Sequence, residues 1–365
     1  MSTAWAEPSP GDPGPGTSAG PGIPAGPGSP GVPGLGIVAL GQALGTPCEP
    51  GDLPGADVAK LRNWGYRRLH RAEPAVGLTD LAVQAGEAAL RRAGVAAADV
   101  DLVVLAITDI AEYLYWDPAA AVQHRLGADQ AEALLLTQAC GGGVTAFDTV
   151  AGRFATHPGY RTALVVAANR IVETYWDRVE TGSSLGADGA AAAVLRRDHP
   201  GCRWLVSETI SDGRYAGFMR MEAGGAARPF TGTLPVGIAP MAERMDRFFD
   251  GDGRAALAFA DGLGARTREV LQRACDRAGV PVDELERVLY LHDNRPAFAA
   301  LAEELGIPLD RTNVEQALAH GHCGPADQLI SLERLLSGGE LVPGDVVALL
   351  STGSGMHWAC TLLRI

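Results

Sequence analysis

Cys140 stands in Gln138-Ala139-Cys140-Gly141-Gly142, where a strand-like run, Ala133–Thr137, gives way to a helical pattern over Gly141–Ala155. A thiol at such a junction faces a helix N-terminus, whose unpaired N–H groups favour the thiolate. The glycines after it allow a substrate carbonyl to approach closely. The chemistry would be nucleophilic attack on an acyl carbon; the plain alternative is a buried structural cysteine. His292 closes a second apolar run, Val288–His292. An imidazole at a strand end opposite a thiol can take a proton and return it, or it can be a hydrogen-bonded core histidine. Asp327 opens the helical stretch Asp327–Leu336. It would orient His292 and stabilise the imidazolium, or simply serve as a helix N-cap or first-turn acid.

These positions need a frame. From Gly36 onward, strand and helix patterns alternate. Ile37–Leu40, Val100–Ile107, Thr162–Ala168 and Gly189–Leu195 read as strands in the first half, with helices at Leu78–Ala93 and Ala119–Leu126. In the second half Trp204–Ile210 and Val346–Ser351 read as strands, and Arg254–Ala278 and Pro296–Leu305 as helices. Such alternation predicts parallel pairing and a layered α/β fold. The sequence also repeats itself: Arg92-Ala93-Gly94-Val95 matches Arg277-Ala278-Gly279-Val280 at an offset of 185, and the strands at Val103 and Ala163 map onto those at Val288 and Ala348 by the same offset. Two related lobes, 37–200 and 201–365, are expected around a pseudo-twofold axis. Cys140 plus 185 falls on Pro325, inside Gly321-His322-Cys323-Gly324-Pro325-Ala326-Asp327. Loops at the carboxyl ends of parallel strands converge on one crevice, so a Cys from one lobe can face His and Asp from the other.

Composition narrows the class. The chain has 365 residues and a net charge of −13, with a single lysine, Lys60. No basic stripe for nucleic acid can be assembled. No apolar run is long enough to span a bilayer, and the start lacks the basic and apolar regions of a secretory signal, so a cytoplasmic protein is expected. Six scattered cysteines without CxxC pairs argue against a disulfide framework or a structural zinc site. Asp250-Gly-Asp252-Gly lacks the closing Glu of a calcium loop, and no metal site is expected. Residues 1–36, with nine Pro and ten Gly, are expected to form a disordered tail.

Taken together, residues 37–365 resemble the ketosynthase III (β-ketoacyl-ACP synthase III) branch of the thiolase superfamily. The resemblance rests on Gln138-Ala139-Cys140-Gly141-Gly142, Gly186-Ala187-Asp188-Gly189-Ala190, Asp252-Gly253-Arg254, Leu291-His292-Asp293-Asn294 and the closing Gly353-Ser354-Gly355-Met356-His357-Trp358. It implies a thiolase-like fold of two pseudo-symmetric layered lobes (αβαβα). It also implies homodimers, and a thioester substrate carried on the phosphopantetheine of an acyl carrier protein or on CoA, with no other cofactor. An oxyanion hole is implied at the backbone N–H groups of Cys140 and of Gly355 or a neighbour.

The chain departs from the family pattern in the loop that carries Asn in a Gly-Asn-Thr-Ser motif. Here His322 replaces the Asn and Asp327 follows. This resembles a sub-branch of secondary metabolism that moves acyl groups onto hydroxyl or amino acceptors with a Cys-His-Asp set. His322 could donate a hydrogen bond to the thioester carbonyl or fill the space left by Asn. Arg67, two residues after Gly65, resembles a family position that contacts CoA or the carrier's phosphopantetheine, but Ala59 stands where the family has a Trp, which favours a carrier protein. Tyr115 and Trp116 lie in the segment by which the partner subunit lines the acyl pocket in the family. The expected activity is acyl transfer from a thioester through a Cys140 acyl-enzyme to a small-molecule acceptor, in polyketide-type natural-product assembly. The alternative is decarboxylative condensation with a malonyl thioester, using Cys140, His292 and His322.

Overall fold

The structure, a computed structural model, describes residues 34–232 and 237–365. The disordered tail expected for 1–36 falls largely on residues outside these. Its boundary needs correction, because Leu35 and Gly36 already belong to the first strand, where the Leu35 side chain is fully buried.

Eleven strands are described: β1 (Leu35–Leu44), β2 (Thr46–Cys48), β3 (Leu69–Arg71), β4 (Leu102–Ile107), β5 (Glu132–Leu136), β6 (Thr162–Asn169), β7 (Gly189–Arg197), β8 (Arg203–Ser211), β9 (Leu285–Leu289), β10 (Val346–Gly353) and β11 (His357–Arg364). The helices among them are α1 (Val58–Trp64), α2 (Leu78–Ala93), α3 (Pro118–Leu126), α4 (Gly142–Thr156), α5 (Met241–Phe248), α6 (Gly253–Ala278), α7 (Arg295–Leu305), α8 (Val314–His320) and α9 (Asp327–Ser337). Nine strands run in the order β5-β4-β6-β7-β1-β8-β11-β10-β9, and β1 meets β8 only through Gly36 and Arg203. The sheet is thus two halves. In each, parallel strands (β5, β4 and β6; β9 and β10) are flanked by antiparallel ones (β7 and β1; β11 and β8).

Side-chain alternation assigns the layers, because successive strand residues point to opposite faces. Val103, Leu105 and Ile107 of β4 pack with α2 and α3, whereas Leu102, Val104 and Ala106 pack with α4. Helix α4 touches β4 and β6 on one side and β8 and β11 on the other, and α9 reaches both halves as well. Helices α6 and α7 cover the outer face of the second half. The result is the αβαβα thiolase fold.

The offset of 185 reappears in the elements. A 3₁₀ turn at Ala139–Gly141 leads into α4 at Gly142, and 185 residues on, a 3₁₀ turn at Gly324–Ala326 leads into α9 at Asp327. The two junctions meet in the middle of the molecule. A Cβ on Gly143 would lie 2.1 Å from the carbonyl oxygen of Pro325, so only glycine permits this contact. Two sequence readings are corrected here. The strand expected at Val288–His292 runs from Leu285 and stops at Leu289. The closing Gly-rich turn passes at His357 directly into β11, buried along most of its length.

Candidate active site

Strand β5 delivers the chain to Cys140. Between them Ala139 holds φ at +48°, a conformation that costs a non-glycine residue energy and is kept where the surroundings impose it. That bend turns the chain into the 3₁₀ turn and leaves Cys140 half-buried ahead of α4. Ser351 of β10 donates to the Cys140 carbonyl at 2.9 Å, tying the turn to the second lobe.

The imidazole at the thiol is that of His322. Its Nε2 lies 3.2 Å from Cys140 Sγ, and its Nδ1 lies 2.5 Å from Oδ2 of Asp327. The carboxylate receives more: the N–H of His292 donates to Oδ2 at 2.7 Å and the N–H of Cys323 to Oδ1 at 2.7 Å. Asp327 is the first residue of α9, yet these bonds reach outside its helix and no side-chain cap is formed at the preceding N-cap. Burial alone would push the His322 ring down. The neighbouring Asp327 charge and the Cys140 sulfur outweigh it and raise the ring well above the ordinary histidine value. Burial would raise Asp327, but His292, His322 and the N–H donors hold it below the ordinary carboxylate range.

The structure places His292 beside Asp327, with Nδ1 3.3 Å from Oδ1, but engages its ring with other groups. His292 is fully buried, with Nδ1 at 2.8 Å from the Gly321 carbonyl and Nε2 at 2.8 Å from Ser331 Oγ. Asn313 donates to the same Ser331 oxygen at 2.9 Å. The network assigns the tautomer: Nδ1–H donates to Gly321, and Nε2 accepts the Ser331 hydroxyl. Both ring nitrogens are taken by protein groups, so His292 presents no free nitrogen to Cys140. Burial lowers its basicity, in keeping with a neutral ring. The reason lies in the chain path. Because β9 ends at Leu289, the residues beyond it no longer alternate as a strand, and the His292 side chain turns inward onto α9. The Tyr66 hydroxyl fixes the same backbone by donating to the His292 carbonyl at 2.9 Å. Ser331, Asn313 and Tyr66 carried no signal in the sequence, since each is an ordinary residue of a helix or loop until the fold brings it in.

The remaining candidates are placed as follows. Gly353 closely approaches the Cys140 turn: a Cβ there would lie 2.9 Å from the Gln138 carbonyl oxygen and 3.2 Å from the Gly141 nitrogen. Gly355 sits two residues farther on, in a loop held by paired bonds between Met356 and Asp212 at 2.8 and 3.0 Å. Arg67 lies at the surface, with its guanidinium engaged by the Glu315 side chain at 2.8 Å and by the Glu315 carbonyl at 2.9 Å. Tyr115 is fully exposed and Trp116 partly so. The neighbouring Ile110 and Leu114 line a cleft of 540 Å³ shared with Arg170, Val172, Met221 and Phe230. It opens beyond the carboxyl ends of β4 and β6, the same edge at which β5 presents Cys140. Asp252 of the weak calcium motif caps α6, accepting from the N–H groups of Arg254 and Ala255. No helix among the described residues is long and apolar enough to cross a membrane.

Comparison with known proteins agrees with this architecture. Residues 136–213 match the family model of 3-oxoacyl-[acyl-carrier-protein] synthase III, and residues 275–365 match the model of its C-terminal part. The β-ketoacyl-[acyl-carrier-protein] synthase III of Thermosynechococcus vestitus is 33% identical over 306 residues, covering 82% of this chain and 87% of that one. A Streptomyces coelicolor synthase III is 29% identical over 303 residues, covering 82% and 86%. Among solved structures, the acyltransferase ChlB3 superposes with a TM-score of 0.80 at 25% identity, covering 91% of this chain and 98% of its own. The synthase III of Pseudomonas aeruginosa gives 0.73 at 26%, covering 91% and 98%. With the Cys140 turn, the layered fold and these relatives in agreement, the chain belongs to the ketosynthase III family of thiolase-fold enzymes.

Proposed function

We propose that the protein is an acyltransferase that moves an acyl group from an acyl-carrier-protein or CoA thioester, through Cys140, to a hydroxyl or amine acceptor in natural-product assembly. The observation that carries this reading is the line Cys140 Sγ–His322 Nε2–Asp327 Oδ2, with spacings of 3.2 and 2.5 Å. One imidazole backed by one buried carboxylate is what repeated proton transfer at a single atom requires. The Cys140 proton is held on His322 Nε2, the ring that Asp327 and the sulfur keep protonated, while sulfur bonds to the thioester carbonyl carbon. The carrier sulfur then leaves with its electron pair and takes that proton. In the second half-reaction His322 accepts the proton of the acceptor, whose oxygen or nitrogen bonds to the acyl carbon. The bond to Sγ breaks, and sulfur regains the proton. Decarboxylative condensation by a Cys-His-His set fits less well, because Ser331 and Gly321 occupy the nitrogens of His292. The exposed Tyr113–Trp116 segment supports a homodimer in which the partner covers it.

The test is intact-protein mass spectrometry after incubation with acetyl-CoA and with an acyl-loaded carrier protein. The wild type gains the acyl mass and loses it to an amine or alcohol acceptor, whereas Cys140→Ala gains nothing. Carbon dioxide released from malonyl-CoA, with formation of a β-ketoacyl product, would overturn transfer in favour of condensation.

A further inference from the structure

The segment just before β7 grips the backbone of the residue whose ring meets the thiol. The N–H of His322 donates to the Leu185 carbonyl at 2.8 Å, and the His322 carbonyl accepts from the N–H of Ala187 at 2.8 Å. Gly186 thus lies beside His322 as one rung of parallel pairing. The fit is close: a Cβ on Gly321 would lie 2.8 Å from Cβ of Ala187 and 3.2 Å from the Leu185 carbonyl oxygen. In an extended segment the polar groups of one residue point opposite to those that flank it. Gly186 therefore turns its own N–H and C=O away from His322, and Arg178 takes both. The Arg178 carbonyl accepts from the Gly186 N–H at 2.8 Å, and Nη1 donates to the Gly186 carbonyl at 3.2 Å.

Arg178 has no part in the proton transfers above, yet it is buried and fully committed. Its guanidinium forks onto the buried Asp188, Nη1 to Oδ1 at 3.1 Å and Nη2 to Oδ2 at 2.9 Å. Asp188 also accepts from the N–H groups of Ala72 and Ile171, each at 2.8 Å, and its own N–H donates to the His70 carbonyl at 2.7 Å. Arg178 Nε donates to the exposed Glu173 at 2.7 Å, and Arg71 donates to Glu173 twice, at 2.9 and 2.7 Å. One guanidinium thereby ties the Gly186 peptide to the chain just beyond β3 and β6. A planar fork can make these bonds together, whereas an ammonium cannot.

We propose that Arg178 is a positioning residue for acylation: by locking Gly186 against Asp188 it holds the His322 backbone, and with it the 3.2 Å reach of Nε2 to Cys140 Sγ. The inference rests on His322 being the ring that serves Cys140 and names what sets its distance. A reacting group displaced by about 1 Å can lose about 10²-fold in rate.

The test is a double-mutant cycle on single-turnover acylation of Cys140, followed by intact-protein mass spectrometry with acetyl-CoA and with an acetyl-loaded carrier protein. Arg178→Lys keeps the charge and removes the fork. Glu173→Gln, at the surface, loosens the same guanidinium in a protein that folds even if Arg178→Lys does not. With His322 present, Arg178→Lys should lower the limiting rate by about tenfold or more and Glu173→Gln by about threefold, with the half-saturating thioester concentration within about twofold of wild type. In a His322→Ala background neither change should slow acylation further by more than about twofold, since the ring they position is gone. Wild-type rates in both folded variants, equal slowing in the two backgrounds, or a raised half-saturating concentration at an unchanged limiting rate would overturn the positioning role and leave the Cys140–His322 pair standing. A wild type that neither thioester acylates, or a His322→Ala protein that acylates at the wild-type rate, would overturn the reading of that pair, and the positioning role with it.

Discussion

The Nδ1 of His322 lies 2.5 Å from Oδ2 of Asp327, five positions on in the sequence, and both residues are buried. The turn Gly324–Ala326 between them folds the carboxylate back onto the ring. This contact makes His322, and not His292, the imidazole whose free nitrogen reaches Cys140.

Asp327→Asn keeps the size of the side chain and removes the charge that raises the His322 ring. Transfer to the acceptor should slow by a factor on the order of 10²–10⁴, the range associated with lost general-base function. Acylation of Cys140 should slow too, because without the Asp327 charge the same ring holds the thiol proton less well. Single-turnover mass spectrometry of both half-reactions measures this; rates within about threefold of wild type would reduce Asp327 to a structural residue.

His322 and His292 should separate cleanly in variants. His322→Ala removes the ring at the thiol and should lower the rate of acyl-enzyme formation by about 10²-fold or more. His292→Gln breaks bonds to Ser331 and Gly321 and should cost roughly 1–3 kcal/mol of stability, while leaving the folded enzyme's acylation within about tenfold. A purified His292→Gln protein that folds normally yet fails to acylate would restore His292 as the base.

Acid should destabilise the fold through its buried neutral histidines. Burial lowers His70, His292 and His320, the last to about 4. A histidine lowered in the folded state contributes stability that is present above its unfolded value of about 6.5 and lost as pH falls toward the folded value. For His320 the loss amounts to about 3 kcal/mol between pH 6.5 and 4. His322 acts with the opposite sign: its raised value supplies stability that is full below about pH 6.5 and fades as pH rises through the folded value. Thermal unfolding of His320→Gln should fall less steeply between pH 6.5 and 4 than that of the wild type. Parallel curves would show that the ring is not titrating in this window.

Gly143→Ala tests the junction of the two lobes. The added methyl would sit 2.1 Å from the Pro325 carbonyl oxygen. Two buried helix starts must then separate, at a cost of about 1–3 kcal/mol or more. The change should lower the unfolding midpoint and slow acylation together, since the same displacement moves Cys140 from His322. Gly152→Ala, also on α4 but with open space around it, is the control and should do neither.

Much of this molecule is written along the chain. Helix α2 runs from Leu78 to Ala93, as its apolar spacing and Gly94 predict, and the offset of 185 maps the turn before α4 onto the turn before α9. Local periodicity and turn residues suffice there, because neighbours in sequence decide the outcome. The thiol at the β5–α4 junction was legible for the same reason. Which imidazole meets that thiol was not. His292 and His322 both follow apolar runs and both lie near Asp327. The choice came from β9 ending at Leu289, from Gly321 at a positive φ of 75°, and from Ser331 and Asn313 waiting on other elements to absorb the His292 ring. Beyond the end of a strand, side-chain direction no longer follows a period. It is set by whichever buried partners the packed fold supplies, and only the tertiary structure contains them.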